Sequence, residues 1–177
     1  GEVVVVGGVR RSALISLSNL SDYRMREAKT GQWWETNPER ALANNSACYT
    51  EKPDMETFMR EWLALVESKS GERGIFSRVA AEAHIAKSGR RETGYAWGTN
   101  PCSEIILRGP KIDSNGNYLA GTGGQFCNLT EVVVREHDDL ESLKRKVRLA
   151  TILGTAQATF THMPYLRKVW KKNTEEE

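Results

Sequence analysis

The stretch "RALANNSACYTEKPDMETFMREWLALVESKSG", residues 40–71, decides the fold class because it sets a candidate strand directly before the clearest helix of the chain. The segment "RALANNSACYT" predicts the strand, and its polar Asn44 and Asn45 suggest that one end faces a pocket. The helix begins after Pro53 with Asp54 as its N-cap and ends at Gly71. Within it, apolar residues recur at helical spacing: Met55, Phe58, Met59, Trp62, Leu63 and Val66.

The flanking segments continue this alternation of strands and helices. Upstream, "EVVVV" predicts a short strand that ends at Gly7-Gly8, "VRRSALISLS" predicts a further extended segment, and "SDYRMREAK" predicts a short helix that closes near Gly31. Downstream follow a helix in "SRVAAEAHIAKSG", an extended "NPCSEIIL", a hairpin in "RGPKIDSNGNYLAGTGG", a strand in "QFCNLTEVVVR" and a long helix in "DDLESLKRKVRLATILGTAQATF". This order predicts an α/β architecture.

Composition excludes several classes of protein. The 177 residues, 39% hydrophobic and 27% charged, are typical of one globular domain with its own core. A net charge of +2 with mixed signs favours neither a nucleic-acid nor a membrane partner. There is no apolar run of about 18 residues and no signal peptide, so we predict a cytoplasmic protein. The first residues, "GEVVVVGG", and the last, "NTEEE", predict a segment of a longer protein.

The cysteines and histidines do not form a known ligand pattern. Three cysteines at irregular spacing, Cys48, Cys102 and Cys127, fit neither a disulfide framework nor a zinc site, and they predict thiols in a reducing compartment. The histidines, His84, His137 and His162, match no metal-ligand spacing, so we predict no metal site.

The stretch "GTNPCSEIIL", residues 98–107, carries the candidate chemistry. The residue before a proline favours the extended region, and side chains alternate along an extended segment. Asn100, Cys102 and Glu104 are therefore expected to point the same way and to bring an amide, a thiol and a carboxylate to one small volume. Alone, such a short pattern is more often structural than catalytic, and a free cysteine is usually a small buried apolar residue.

Six segments in order resemble a known family: "GGVRRSALISL", "NNSA", "SGERGIF", "GTNPCSEIIL", "FCNLTEVVVR" and "ATILGTAQATFT". Together they resemble the catalytic barrel of ribonucleotide reductases, most closely the class II enzymes that use adenosylcobalamin. The resemblance covers nearly all of the chain. It implies that residues 1–177 are a fragment of a single catalytic domain and form part of a ten-stranded α/β barrel.

The resemblance also implies roles for four residues. Cys102 matches the cysteine whose thiyl radical abstracts the ribose 3′ hydrogen, and Glu104 matches the carboxylate that takes the 3′-hydroxyl proton. Asn100 matches the amide that hydrogen-bonds the ribose hydroxyls. Cys127 matches one of two cysteines that reduce the intermediate and become a disulfide, and two antiparallel strands could bring it close to Cys102. Cys48 matches no functional position and is predicted to be a buried strand thiol.

The resemblance further implies a specificity loop, a cofactor and partners. Gly7, Gly8, Val9, Arg10 and Arg11 match the loop that relays the identity of the substrate base to an allosteric site; an ordinary hairpin loop with surface arginines is the alternative. The implied cofactor is adenosylcobalamin. The implied partners are a ribonucleotide substrate, a deoxynucleotide effector, a thioredoxin-like or dithiol reductant, and the remaining segments of the same enzyme.

Two rival interpretations remain open. In the first, the radical comes from a metal-containing partner subunit, although Pro101 inside the motif and "GERGIF" favour the cobalamin type. In the second, the chain is a non-catalytic module that binds nucleotides or assembles with another chain. The second is favoured by a missing residue, since no cysteine precedes Cys48 to pair with Cys127. The resemblance also implies that the later phosphate loop and the C-terminal thiol pair of the family are absent, so several parts needed for turnover are expected to be missing.

Overall fold

The computed structural model describes residues 2–5 and 13–176. These residues form two compact units, Gly1–Leu119 and Ala120–Glu177. The described residues are mixed α/β, with one sheet of three strands and two sheets of two strands, and they do not form a closed barrel. The predicted α/β class is confirmed, whereas membership of a ten-stranded barrel and of a single catalytic domain stays a prediction.

The first unit is built on a parallel sheet in the order β1-β2-β3. The strands are β1 (Leu14–Ser18), β2 (Ala43–Tyr49) and β3 (Gly74–Ser77). The first two were predicted and are confirmed. Strand β3 was missed because it has only four residues. Gly74 lies opposite Ser46 on the neighbouring strand β2, and a Cβ at Gly74 would lie 2.8 Å from the Oγ of Ser46, so the two backbones approach closely there.

Helical segments connect these parallel strands, as crossover connections require. They are α1 (Tyr23–Arg26), α2 (Trp33–Thr36), a 3₁₀ helix (Pro38–Leu42) and α3 (Met55–Ser68), and α4 (Arg78–Ser88) follows β3. The predicted cap of α3 is confirmed, since the side chain of Asp54 accepts a hydrogen bond of 2.8 Å from the backbone N–H of Thr57. The predicted short helix after Ser21 is confirmed as α1, with Asp22 as its N-cap.

Helix α3 buries a different face from the one its apolar residues occupy. The apolar residues are largely exposed: Met55, Met59, Trp62, Leu63 and Val66. The buried residue of the helix is Glu61. Helical spacing therefore predicted the element correctly but not the face that is buried.

Two small hairpins complete the first unit. Strands β4 (Gly98–Thr99) and β5 (Ile106–Leu107) form one, and β6 (Lys111–Ile112) and β7 (Tyr118–Leu119) form the other. The second is the hairpin predicted from its Gly/Asn-rich sequence. The first packs on α4 through an apolar cluster made of Ala81, Ile85, Tyr95 and Trp97, with Ile106 against it.

The second unit contains two helices, α5 (Leu140–Ala158) and α6 (Lys168–Glu176). Helix α5 is the predicted long helix, and it begins with a capping box in which Asp139 and Ser142 bind each other's backbone N–H groups. None of the described helices is long and apolar enough to cross a membrane.

Two predicted strands are wrong. The "EVVVV" run begins with a 3₁₀ helix, Glu2–Val5, which packs against the 3₁₀ helix Pro38–Leu42 instead of joining the sheet. The "QFCNLTEVVVR" segment is irregular: Thr130 Oγ1 donates to the carbonyl of Ala150 at 3.1 Å, and Lys146 Nζ donates to the carbonyl of Val133 at 3.0 Å. This segment therefore contacts helix α5 and does not pair with a described strand. Since β propensity depends on packing against a partner strand, the valines do not form a strand here.

Candidate functional site

The candidate site is a turn, and the extended conformation predicted for it is wrong. The backbone N–H of Ser103 donates to the carbonyl of Asn100 at 3.0 Å, which closes a turn over residues 100–103 between β4 and β5. Asn is favoured at the first position of such turns and Pro at the second, because the proline ring presets the required φ. Since Pro101 starts a turn, Asn100, Cys102 and Glu104 do not follow the alternation of an extended strand.

The side chain of Asn100 holds the turn together. Its Oδ1 accepts hydrogen bonds from the backbone N–H of Ile105 at 3.1 Å and from Thr99 Oγ1 at 3.3 Å. Its Nδ2 donates to no residue in the described part of the chain. The acceptor of this amide is therefore engaged in the turn, while its donors are open to a ligand.

Strand β2 anchors the same turn. Asn44, the second residue of β2, donates from Nδ2 to the carbonyl of Pro101. This contact joins residues 57 positions apart, so it fixes the turn to the sheet and not just to its own hairpin. From the sequence, Asn44 was predicted only to lie at an end of a strand that faces a pocket. Its hydrogen bond to the carbonyl of Pro101 was not predicted.

The hairpin that carries the turn rests on a buried tryptophan. Trp97 is 0% exposed, and its indole N–H donates to Glu82 of α4. Arg78, at the start of α4, donates from Nε to the carbonyl of Trp97 at 2.8 Å, and the Arg91 guanidinium lies 4.5 Å from the ring centroid. These contacts give the turn a rigid support, and the sequence motif alone gave no sign of them.

Cys102 and Glu104 both lie exposed beside this support. Glu104 lines a cleft of about 560 Å³ between the end of α4 and β5. The other lining residues are His84, Ile85, Ser88, Arg90, Arg91, Ile105 and Ile106. The turn therefore presents a thiol and a carboxylate within three positions of each other, next to a cleft with an apolar floor and cationic side chains.

The other two cysteines lie in different surroundings. Cys48 is 6% exposed in β2, as predicted, and burial raises the pKa of its thiol while the positive charge of Arg78 partly opposes this. Cys127 is exposed in the irregular segment of the second unit. The antiparallel strands that would have paired it with Cys102 are not formed.

The predicted specificity loop, Gly7 to Arg11, lies outside the described residues. Among the described residues, no three His, Cys, Asp or Glu side chains form a group that could hold a metal ion. The roles of Asn100, Cys102, Glu104 and Cys127 stay predictions at this point, because geometry alone does not identify a reaction.

Comparison with known proteins connects the chain to one enzyme by sequence. It is 30% identical over 184 aligned residues to the adenosylcobalamin-dependent ribonucleoside-triphosphate reductase of Lacticaseibacillus paracasei. The match covers 98% of this chain but only 21% of the relative, so the chain spans about a fifth of that enzyme. No protein-family profile matches the chain, and no solved structure matches it. The similarity supports a weak link to the family of that enzyme.

Proposed function

We propose that the chain belongs to the adenosylcobalamin-dependent ribonucleotide reductases and carries their radical site. The observation that carries this proposal is the turn that exposes Cys102 beside Glu104 on a rigid α/β support. The similarity to the reductase of Lacticaseibacillus paracasei, which runs over 98% of the chain, supports it. The substrate that we propose is a ribonucleoside triphosphate, following the name of that relative.

The chemistry assigns one step to each residue. The sulfur of Cys102, as a thiyl radical, removes the 3′ hydrogen atom, because a ribose C–H is too weak an acid for any side-chain base. Glu104 accepts the 3′-hydroxyl proton, and the 2′-hydroxyl leaves as water. Cys127 and a second thiol supply two electrons and two protons and become a disulfide. Glu104 then returns its proton to the 3′ oxygen, and the 3′ hydrogen atom returns from Cys102 to the sugar.

In this proposal, Asn100 contacts the substrate only as a hydrogen-bond donor, although an amide can both donate and accept. Because Oδ1 is bound within the turn, only Nδ2 can contact the substrate. We propose that it donates to a ribose hydroxyl and orients the sugar over Cys102 without adding charge.

The position of Cys102 fits an external source of the radical. The thiol is exposed at a turn and is not enclosed in the core, so a group bound beside the turn has access to the sulfur. When bound, adenosylcobalamin would supply the radical that takes the hydrogen atom from this thiol. Cys102 is the residue of this chain that we assign to face it.

A chimera tests the proposal. The aligned segment of the Lacticaseibacillus paracasei reductase is replaced by this chain, and deoxynucleotide formation is measured with adenosylcobalamin, a ribonucleoside triphosphate and a dithiol. We expect activity in the chimera and none after Cys102→Ser, because a hydroxyl hydrogen is held too strongly to be removed. Cys127→Ser should keep 3′-tritium exchange and lose normal product.

Cys48→Ala is the matched control, since it removes a thiol that the proposed chemistry does not use. It should retain activity, with stability lowered modestly because it shortens a buried side chain. Product formation by the Cys102→Ser chimera would contradict the assignment. So would a chimera that folds, by its thermal unfolding, yet makes no deoxynucleotide.

A further inference from the structure

Helix α6 holds the glycine-rich segment that precedes Cys127. Asn173 of α6 is 1% exposed, and its Nδ2 donates to the carbonyl of Gly123 at 2.8 Å. A side-chain amide buried to this extent and bonded to a loop carbonyl fixes the path of the loop. We call residues 121–127 the strap.

Trp170 makes the second attachment of the strap. The backbone φ of Gly124 is 126°, a conformation that favours glycine, and a Cβ there would lie 2.8 Å from the Cη2 of Trp170. The indole also packs against the ring of Phe126, with centroids 5.4 Å apart. Glycine at position 124 thus lets the backbone approach the indole face, and the aromatic contact extends to the residue next to the thiol.

A third contact lies at the start of the strap. A Cβ at Gly121 would be 3.5 Å from the Cγ2 of Val169, so the backbone passes close to α6 there as well. The helix thus contacts the strap at residues 121, 123, 124 and 126, and the next residue, Cys127, is exposed. These contacts with α6 therefore end at Phe126, the residue before Cys127.

We propose that Trp170 and Asn173 are positioning residues for Cys127, an inference that rests on the proposed redox role of this thiol. A thiol that reduces a radical intermediate has to lie at a fixed place and also has to stay open to a reductant. Anchoring the preceding backbone while leaving the sulfur exposed meets both needs. The segment is too rich in glycine to hold one conformation without such anchors.

Hydrogen exchange on the 177-residue chain tests the anchoring without any activity. In Asn173→Ala, amide exchange over residues 122–127 should rise about tenfold, the factor that corresponds to losing one buried hydrogen bond. Trp170→Ala, which loses the ring contact with Phe126, should also raise it. Exchange in α5 should stay unchanged and reports that the unit is folded. Trp170→Phe should leave exchange near the wild-type rate because it keeps an aromatic ring against Phe126, and Glu175→Ala, on the exposed side of α6, is the control.

Phe126→Leu tests the same contact without a substitution in α6, and it is needed if the α6 variants unfold the second unit. It removes the ring contact from the strap side at a residue that is 44% exposed, so the fold should persist. It too should speed exchange in the strap. Unchanged exchange in Phe126→Leu and in the α6 variants would overturn the proposal.

The chimera described above tests the positioning role itself. Asn173→Ala should lower the deoxynucleotide formed per 3′-tritium exchanged by about tenfold, because the Cys102 step is intact and delivery from Cys127 is slowed. A faster-exchanging strap with an unchanged ratio would overturn the positioning role. Failure of the proposed function is seen separately: Cys127→Ser would then give full product.

Discussion

Glu61 accepts hydrogen bonds from two arginines inside the first unit, and Glu61→Gln is expected to destabilise that unit strongly. Arg73 Nε donates to Oε2 at 3.0 Å, and Arg26 Nε donates to Oε1 at 2.6 Å. The side chains of Arg73 and Glu61 are only 1% and 4% exposed. Glutamine keeps the shape of the side chain but leaves the charge of Arg73 buried without its counterion.

The magnitude follows from what remains around Arg73. Breaking a buried ion pair from one side costs about 3–5 kcal/mol. Arg73 keeps Ser18 Oγ at 3.0 Å and the carbonyl of Asn19 at 2.9 Å, with further contacts to the carbonyls of Leu20 and Asp22 at 3.2 Å. Because these acceptors keep the guanidinium hydrogen-bonded, we expect the lower end, about 3 kcal/mol.

Urea unfolding followed by tryptophan fluorescence measures this loss, since Trp33, Trp34, Trp62 and Trp97 all lie in the first unit. The matched control is Glu56→Gln on the same helix, whose partner Arg60 is 70% exposed, and it should cost less than about 0.5 kcal/mol. A loss of under about 1 kcal/mol in Glu61→Gln would refute the reasoning, because the pair would then not stabilise the fold.

The same carboxylate gives the first unit a pH dependence. Burial, the largest single effect, raises the pKa of Glu61, but the hydrogen bonds and charges of Arg73 and Arg26 together outweigh it and hold the pKa below its ordinary value of 4.5. The stabilisation is therefore present above that value and is lost as the pH falls through the native pKa. The difference in unfolding free energy between wild type and Glu61→Gln should shrink between about pH 7 and about pH 3.

Three further predictions concern the turn, the second unit and the specificity loop. Asn44→Ala removes the donor to the carbonyl of Pro101, so it should speed alkylation of Cys102 severalfold and leave that of Cys127 unchanged. Asp139→Ala should destabilise the start of α5, seen as faster hydrogen exchange in its first turn. In the active chimera, Arg10→Ala should change which substrate is preferred under each effector more than it changes the best rate, and a uniform loss across substrates would contradict this.

Local signals explain what the sequence predicted correctly. The cap of α3 lies within three residues of the N–H group that it binds, so it can be read from a short window. The strand β2 and the hairpin of β6 and β7 likewise follow from short runs of residues bounded by turn signals. Elements whose determinants lie within a few positions were predicted with their correct type.

Contacts between distant positions explain the misses. Glu61 faces the core because Arg26, 35 positions away, and Arg73, 12 positions away, meet it there, and no periodicity reveals such a pairing. Strand β3 pairs with β2, 28 positions earlier at Ser46 and Gly74, and a Cβ at position 74 would lie only 2.8 Å from the Oγ of Ser46. The irregular segment before α5 is bound to that helix by residues 13 and 20 positions apart, since Lys146 donates to the carbonyl of Val133 and Thr130 donates to the carbonyl of Ala150.

In the candidate site, the dipeptide Asn100-Pro101 combines a local signal, the turn that it starts, with a distant contact, the hydrogen bond from Asn44. The rule that the residue before a proline is extended applies to Asn100, yet the stronger consequence of Asn-Pro is the turn that starts there. That turn uses the acceptor of Asn100 and binds Asn44 through the carbonyl of Pro101, so that Cys102 is exposed at its third position. A strand would have buried one of its faces against neighbours, whereas a turn anchored at both ends keeps the sulfur both fixed and accessible, and these are the two properties that the proposed radical step needs.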